Sequence, residues 1–584
     1  MFTTEQVMFE ITQTGNASQV KIENQEHSTM VGVWHFTVKY DEPEHPNKVE
    51  LRFRIPDMGI FSVWSPDKCP DYPSPVWFGN TTTSRAAKGA PIQSLVDKSG
   101  KNCMTLAVSD PKTPLEIRTG ICEGDVWTEV KLSFFTIPMG KLSEYEADIR
   151  IDFREIPFYR AVEEVREWWT SYGYFHADVP ETARYPLYST WYSFHHRLSP
   201  NAVVEQCRMA KELGCSAVIV DDGWQTEENL GGYGTCGDWE CSPVKIPDMR
   251  DFVEQVHALG MKFILWYSIP FVGKRSKAWT HFHHAVLDNT EEKEWYCLDP
   301  RFPQVREYLI GIYERAVREW DLDGFKLDFI DSFNFTEASS HQKDDGRDFD
   351  SLEDAIEALL SETMARLKAI KSDICIEFRQ EYIGPLMQTY GNMLRVADCP
   401  ADGLSNRIGM VKLRLLSGTT AVHSDMLEWN IEDSAENAAL QLLNVFYTVP
   451  QISVLLDKIP ESHRRMLKFY LGVWETYRNV ILDGNFAVAE PSGNYTWISA
   501  EKDGVMLTAL YGQTVFSLHG AMETLILLNA TGEEKLYLDS ANLLSGKTCY
   551  IYNCMGEEVE KFVLRSGEEL LRISVPISGM VKVE

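Results

Sequence analysis

Between residues 185 and 483 short apolar strands alternate with longer amphipathic segments, and this alternation limits the fold more than any other feature of the chain. The candidate strands are PLYSTWY (186–192), SAVIVDD (216–222), MKFILWY (261–267), GFKLD (324–328), ICIEF (374–378), MLRVAD (393–398), TTAVHSD (419–425) and QISVLL (451–456). Eight such strands over about 300 residues is the count of a (β/α)8 TIM barrel. An open doubly wound sheet is the rival, but no G-x-G-x-x-G follows the first strand, which removes the main support for its nucleotide-binding form.

The flanks read differently. Residues 1–160 alternate polar and apolar side chains in segments such as VGVWHFTVKY and VELRFRIP, with frequent Gly, Pro and Asp, and predict an N-terminal β-sandwich. In PFYRAVEEVREWWTSYG (157–173) the apolar spacing becomes helical, so 161–184 is assigned to a linker helix. Period-two patterning returns over 484–584, in GVMLTALYG, ETLILLNA and ELLRISVPI, and predicts a smaller C-terminal antiparallel β-sandwich. The expected class is therefore multidomain α/β and β, a length of 584 residues being ample for three units.

Composition removes several function classes. With 56 Lys+Arg against 86 Asp+Glu the formal charge is −30, a field that repels phosphate backbones and anionic membrane surfaces, so neither nucleic acid nor membrane is an expected partner. No apolar run reaches the roughly 18 residues of a membrane span. The opening MFTTEQVMFEITQTGN lacks a basic segment followed by an apolar one, and the twelve cysteines show no C-x-x-C spacing. Free thiols in a cytoplasmic protein, without bound metal or other cofactor, are expected. His195, His196 and the histidines of THFHHAV (280–286) have no further ligand in sight and read as solvated.

Polar residues gather where the barrel strands end, and in a parallel barrel those ends share the face on which active sites lie. Lys326 and Asp328 in GFKLD are two apart, so both point to one side of the strand, and the lysine is expected to keep the carboxylate ionised, as a nucleophile requires. Asp398 ends a strand 70 residues later. Two carboxylates across a barrel mouth are the equipment of glycoside hydrolysis, one attacking the anomeric carbon and one protonating the leaving oxygen. Asp402 competes with Asp398 for the acid role. Asp221 and Asp222, in VDDGWQ, point opposite ways, so one of them is expected to bind neighbouring sugar hydroxyls; a solvated turn is the alternative. Trp224, Trp239 and Trp266 are candidates for an apolar sugar platform, with core packing as the other reading. Asp323 and Asp331 are assigned to a turn and a cap.

In DDGW (221–224), GDWE…KIPDM (237–249), KFILW (262–266), LDPRFPQVREYL (298–309), GFKLDF (324–329) and VADCPADGLSNR (396–407) the chain resembles glycoside hydrolase family 36, the microbial α-galactosidases or melibiases. The resemblance implies Asp328 as nucleophile and Asp398 as acid/base. It implies Asp221 and Asp222 as ligands of the galactose 4- and 6-hydroxyls, Lys326 as a hydroxyl ligand, Trp266 as pocket wall, and Arg395 as the arginine preceding the acid/base; Arg395, Arg379, Asp402 and Trp191 are also expected among the substrate-binding residues. The reaction implied is retaining cleavage of terminal α-galactosyl groups from oligosaccharides or small α-glycosides. Two departures stand out. IEFRQEYIGP replaces a small-residue stretch after the fifth strand, placing Arg379 near the sugar 2-position, and Asp402 follows Asp398 by four residues rather than three. The alternatives are the same chemistry on an α-N-acetylgalactosaminide, transglycosylation, an inactive carbohydrate-binding protein, or a Schiff-base barrel enzyme using Lys326, which the nearby Asp328 opposes. A homo-oligomer is compatible with all of them.

Overall fold

The computed structural model describes residues 2–584 apart from 58, 68–71, 289, 337–338, 340–345 and 566–568; Cys69 lies outside the described residues. Two antiparallel sheets open the chain. One has five strands (Glu10–Gln13, Val49–Pro56, Trp127–Phe134, Leu115–Ile121, Asn80–Ser84) and the other six (Gln19–His27, Val31–Glu44, Leu142–Asp152, Asn102–Val108, Ile92–Asp97, Ile60–Trp64). Alternation along Val31–Glu44 turns Trp34, Phe36, Val38 and Tyr40 inward, onto a core shared with Leu51, Phe53, Val130, Leu132 and Phe134. Phe36 stacks on Phe134 with ring centroids 4.5 Å apart, and each fully buried aromatic of this kind contributes roughly 1.5–3 kcal/mol.

A helix at Phe158–Thr170 follows, because Phe158, Ala161, Val162, Val165 and Trp169 fall on one face and are all buried. Its Trp169 Nε1 donates to the Val108 carbonyl at 2.8 Å, tying the helix to the six-stranded sheet.

Eight parallel strands then form the barrel: β1 (Leu187–Ser189), β2 (Ala217–Val220), β3 (Lys262–Ser268), β4 (Gly324–Asp328), β5 (Cys375–Arg379), β6 (Met393–Arg395), β7 (Ala421–His423) and β8 (Gln451–Ile452). Each coincides with a segment expected from sequence, β3 and β5 running one residue beyond it. Neighbours pair in order from β1 to β7, and β8 returns beside β1 through Leu187↔Gln451. The seam between β7 and β8 closes through the parallel bridges His423↔Val449 and Leu427↔Ile452. Inside, Leu187, Ala217, Ile219, Ile264, Cys375, Met393 and Ala421 form an apolar floor. The period of two then puts Trp266, Lys326, Glu377, Arg395 and His423 one step nearer the strand C-termini, so the barrel is apolar below and polar at its mouth. Asp323, expected in a turn, is instead a buried clamp below the barrel: it accepts from Phe263 N and Lys262 at 2.9 Å, from Lys371 at 2.9 Å and from His257 at 2.6 Å.

The chain ends in a seven-stranded and a three-stranded sheet. They are mainly antiparallel, but Val505–Leu510 pairs with Thr524–Asn529, and Val515–Ser517 with Lys535–Asp539, in parallel. Tyr447 donates to the Ile498 carbonyl at 2.7 Å and joins this unit to the barrel. The N-terminal sandwich docks near the barrel mouth. Arg85 donates to the carbonyls of Phe333 (2.8 Å) and Asp331 (2.7 Å), Gly89 N to that of Glu381 (2.7 Å), and Lys412 Nζ to that of Asp67 (2.7 Å).

Candidate active site

Asp328 ends β4 and faces the barrel axis, where its two oxygens have unequal surroundings. Oδ1 accepts from Arg379 Nε (2.6 Å), Tyr382 OH (2.9 Å) and Phe329 N (2.8 Å), whereas Oδ2 accepts from Trp266 Nε1 (3.0 Å). Burial alone would raise this carboxyl's pKa. Arg379, then Lys326 and the Trp266 N–H, outweigh it and hold the group well below the usual carboxylate range. The expected partner was Lys326, two residues away. Its Nζ instead lies 2.6 Å from Asp221 Oδ2, since β2 and β4 both face the axis there, and the direct ion pair of Asp328 is with Arg379 from β5.

Asp221 and Asp222 follow β2, and both are buried. Asp221 is committed to Lys326, and burial raises its pKa. Asp222 accepts from Gln225 Nε2 at 2.7 Å and lies 3.0 Å from His196 Nε2, so His196 is not the solvated residue that sequence suggests. Trp266 reaches Asp328 with its N–H, and Tyr233 stacks on its ring at 6.4 Å. Trp224 and Trp239 belong to the core rather than to a platform: both are buried, and Trp224 Nε1 donates to the Trp266 carbonyl at 2.8 Å. Trp191 is half-buried against the rings of His195 and His196.

Arg395 corrects another expectation. It is completely buried, and its charge is taken up by protein carboxylates rather than offered to a ligand: Asp425 Oδ1 lies 2.5 Å from Nη1, Asp398 Oδ1 2.8 Å from Nη2 and Glu377 Oε1 3.7 Å from Nε. Asp425 is fixed in turn by Tyr192 OH (2.9 Å) and Cys399 N (2.7 Å), and Glu377 Oε2 by Gln451 Nε2 (2.5 Å). Burial pushes Glu377 up to about 7, with Arg395 and Lys326 acting against it. Asp398 itself leaves the buried layer, its side chain 56% exposed. Burial would raise its pKa, but Arg395 and then Lys326 bring it below the ordinary value, with the Asp328 charge opposing them.

Asp402 is the N-cap of the helix Gly403–Ser417, accepting from Ser405 N at 3.0 Å and from Ser405 Oγ at 2.5 Å. Asp402→Ala is expected to lower stability by about 1 kcal/mol in denaturant titration, while kcat on an aryl α-galactoside stays within a few-fold of wild type. A rate loss as large as that of an Asp398 variant would return the acid role to Asp402.

A cavity of about 580 Å³ adjoins Asp398, lined also by Gln380, Val396, Asp402, Ser405, Ile408, Lys412, Tyr72 and Asn494. Tyr192, Tyr382, Asp425 and Glu377 are site residues that sequence reasoning did not assign. Asp425 and Glu377 stood within the strand-end pattern; nothing marked the tyrosines. Among the described residues no group of three or more His, Cys, Asp or Glu is arranged to hold a metal.

Residues 175–378, covering β1 to β4 and β5 up to Phe378, with Asp221, Asp222, Lys326 and Asp328, match the family model described as Melibiase. This segment is similar to the melibiase family. Relatives of this segment include alpha-galactosidase AgaA of Geobacillus stearothermophilus, 31% identical over 150 residues (24% of this chain, 20% of that protein). Alpha-galactosidase 2 of Pediococcus pentosaceus is 27% identical over 157 residues (26% of this chain, 22% of that protein). The aligned part thus spans about a fifth of the length of these curated relatives. The likeness of fold extends further: a crystal structure of Geobacillus stearothermophilus AgaA in complex with raffinose superposes with a TM-score of 0.63, covering 97% of this chain and 81% of that one at 14% identity. A barrel between two β units is therefore the fold that this chain shares with that structure.

Proposed function

We propose that the protein is a retaining α-galactosidase acting on terminal α-galactosyl groups of oligosaccharides, with Asp328 as nucleophile and Asp398 as acid/base. The observation that carries this reading is the asymmetry at Asp328: an ionised carboxylate whose Oδ1 is engaged by three donors while Oδ2 takes one N–H. Oδ2 is then the attacking oxygen. It forms the bond to the anomeric carbon as the glycosidic C–O bond breaks, and Asp398 gives its proton to the departing oxygen. In the second step Asp398 takes a proton from water, whose oxygen attacks the anomeric carbon and releases Asp328. Esterifying Asp328 removes the charge that raises the Asp398 pKa, so the change from acid to base is favoured by the first step itself. Asp221, Asp222 and Lys326 supply the polar wall for sugar hydroxyls, and Trp266 the apolar one. AgaA crystallised with raffinose supports an oligosaccharide as substrate.

The test is proton NMR of an aryl α-galactoside, alongside its 2-acetamido analogue, during turnover. Early α-galactose is expected. Early β-galactose would overturn retention, and turnover of the analogue alone would move the substrate to an α-N-acetylgalactosaminide accommodated beside Arg379.

The pH dependence has a definite sign. Arg395 depresses the Asp398 pKa, so the protonated form required of an acid is present at low pH and is lost as pH rises through that depressed value. For raffinose, kcat/KM is expected to decline on the alkaline side from below neutrality. For α-galactosyl fluoride, whose leaving group needs no proton, that limb is expected to be flat. Superimposable profiles would exclude Asp398 as proton donor.

A further inference from the structure

We propose that the base of the barrel carries a binding site for a phosphoryl group borne on a small molecule, held by Arg166 and Arg414 on the face opposite the carboxylates. The inference is independent of the glycosidase reading. A cavity of about 450 Å³ lies there, within the roughly 300–1,000 Å³ of small-molecule sites. Three parts of the chain wall it: the helix Phe158–Thr170 with the segment after it, the helix Gly403–Ser417 with the turn into β7, and the strand Asn485–Val488 of the C-terminal unit. Ala421, which belongs to the apolar floor, also lines it, so the cavity stands at the N-terminal ends of the barrel strands.

The charges of this cavity are not all paired. Of its carboxylates, Glu163 is taken by Arg160 at 2.6 Å and Asp483 by Arg184 at 2.7 Å, while Glu167 is exposed. Among the described residues Arg166 and Arg414 form no ion pair. Arg166 Nη1 donates to the Leu415 carbonyl at 3.4 Å. Arg414 Nη2 donates to the carbonyls of Ile481 (3.1 Å) and Leu482 (3.3 Å), and its guanidinium lies over the Phe486 ring at 5.0 Å. Most N–H donors of both groups are therefore left over. Burial lowers the pKa of both, that of Arg414 to about 10, with Asp483 acting against burial and Arg166 and Arg184 adding to it. In a chain with 86 Asp+Glu against 56 Lys+Arg, two largely buried guanidiniums that share a cavity and lack a counter-ion call for an anion from outside.

The wall is built around these groups. His176 Nδ1 is 3.0 Å from Thr420 Oγ1, and burial, then Arg166, push this imidazole down to about 4, so it adds no third charge. Gly418, with φ +54°, lets the turn close on the site: a Cβ there would meet His176 Nε2 at 2.8 Å and Arg166 Cδ at 3.2 Å. Two unpaired cations match a phosphate monoester, which carries about −1.5 to −2 near pH 7. Guanidiniums also bind phosphate oxygens through paired N–H donors. The cavity is larger than phosphate alone and has room for the carbon skeleton that bears it. Gly418 and Thr419 are exposed and open it to solvent.

Glucose 6-phosphate is the probe, with glucose, inorganic phosphate and succinate as comparisons, all at one ionic strength set with sodium chloride. Its phosphorus NMR signal is expected to broaden with the wild-type protein, and the thermal midpoint to rise with its concentration, as for any ligand of the native state. Inorganic phosphate is expected to compete; glucose is not. Arg166→Gln is expected to weaken binding about tenfold or more, through loss of a charge-assisted contact. Thr419→Glu changes an exposed residue and leaves both arginines in place, and is expected to abolish binding by setting a carboxylate at the opening. Broadening that persists unchanged in both variants would overturn the location. Stabilisation by succinate and not by the phosphates would overturn the phosphoryl assignment, and an unbroadened signal with the wild-type protein would overturn the site itself.

Discussion

Asp328→Asn is expected to abolish turnover while leaving a folded protein. The substitution keeps the size of the side chain and an oxygen for Arg379, Tyr382 and Phe329 N, the three donors now on Oδ1. It removes the charge, and it turns an NH2 group toward the Trp266 N–H that Oδ2 now accepts. Loss of a nucleophile costs on the order of 10⁴–10⁶ in kcat, so activity on an aryl α-galactoside should vanish from ordinary assays while circular dichroism still shows a cooperative thermal transition. Asp328→Gly sharpens the test. It opens space for azide on the face from which Oδ2 attacks, and azide is expected to yield β-galactosyl azide. Near wild-type turnover by Asp328→Asn would remove the nucleophile assignment outright.

Asp398→Ala is expected to have an effect that depends on the leaving group. Proton transfer by a positioned carboxyl contributes about 10²–10⁴-fold, and the need for it disappears as the leaving group becomes a better anion. Hydrolysis of raffinose should therefore fall by about 10³-fold or more, whereas formation of the glycosyl-enzyme from α-galactosyl fluoride should proceed at near wild-type speed. The intermediate then waits, because the base for water is gone. Azide, which needs no base, is expected to release α-galactosyl azide, the anomer opposite to that from Asp328→Gly. Equal losses on both substrates would sink the acid/base role and leave Asp398 as a counter-ion of Arg395.

Both expectations depend on the charge balance that Arg395 maintains. This guanidinium is wholly buried against Asp425 and stands 2.8 Å from Asp398. Removing one member of such a buried pair typically costs about 3–5 kcal/mol, because the remaining charge has neither partner nor water. The layer of Glu377, Arg395 and Asp425 thus fixes the position and protonation of Asp398 without facing the solvent itself.

Much of this was legible in the sequence. Short apolar runs between amphipathic segments marked the eight barrel strands, because parallel strands are buried on both faces, and within each strand the period of two decides which side chains face the axis. Lys326 and Asp328, two apart on β4, were placed correctly on the inner side by the same rule, and Asp398 by its position after β6. The N-terminal sandwich was equally clear in the alternation of VGVWHFTVKY. Sequence alone therefore determined the class of fold, the strands and the face on which the carboxylates gather.

Which groups pair with which was decided only by the tertiary structure. The closing of the barrel brings β2, β4, β5 and β6 around one axis, and distances across that axis bear no relation to separation along the chain. So Lys326 binds Asp221, 105 residues away, while Arg379 takes Asp328, 51 residues away. Arg395, which on a single strand reads as a ligand-binding cation, is consumed by three carboxylates from β5, the β6 exit and the β7 exit. Asp402 likewise could be separated from Asp398 only once the helix start was seen to use its carboxylate as a cap. Local pattern is set by the period of the backbone, whereas electrostatic partnership is set by proximity in a low-dielectric interior, and only the folded chain specifies proximity.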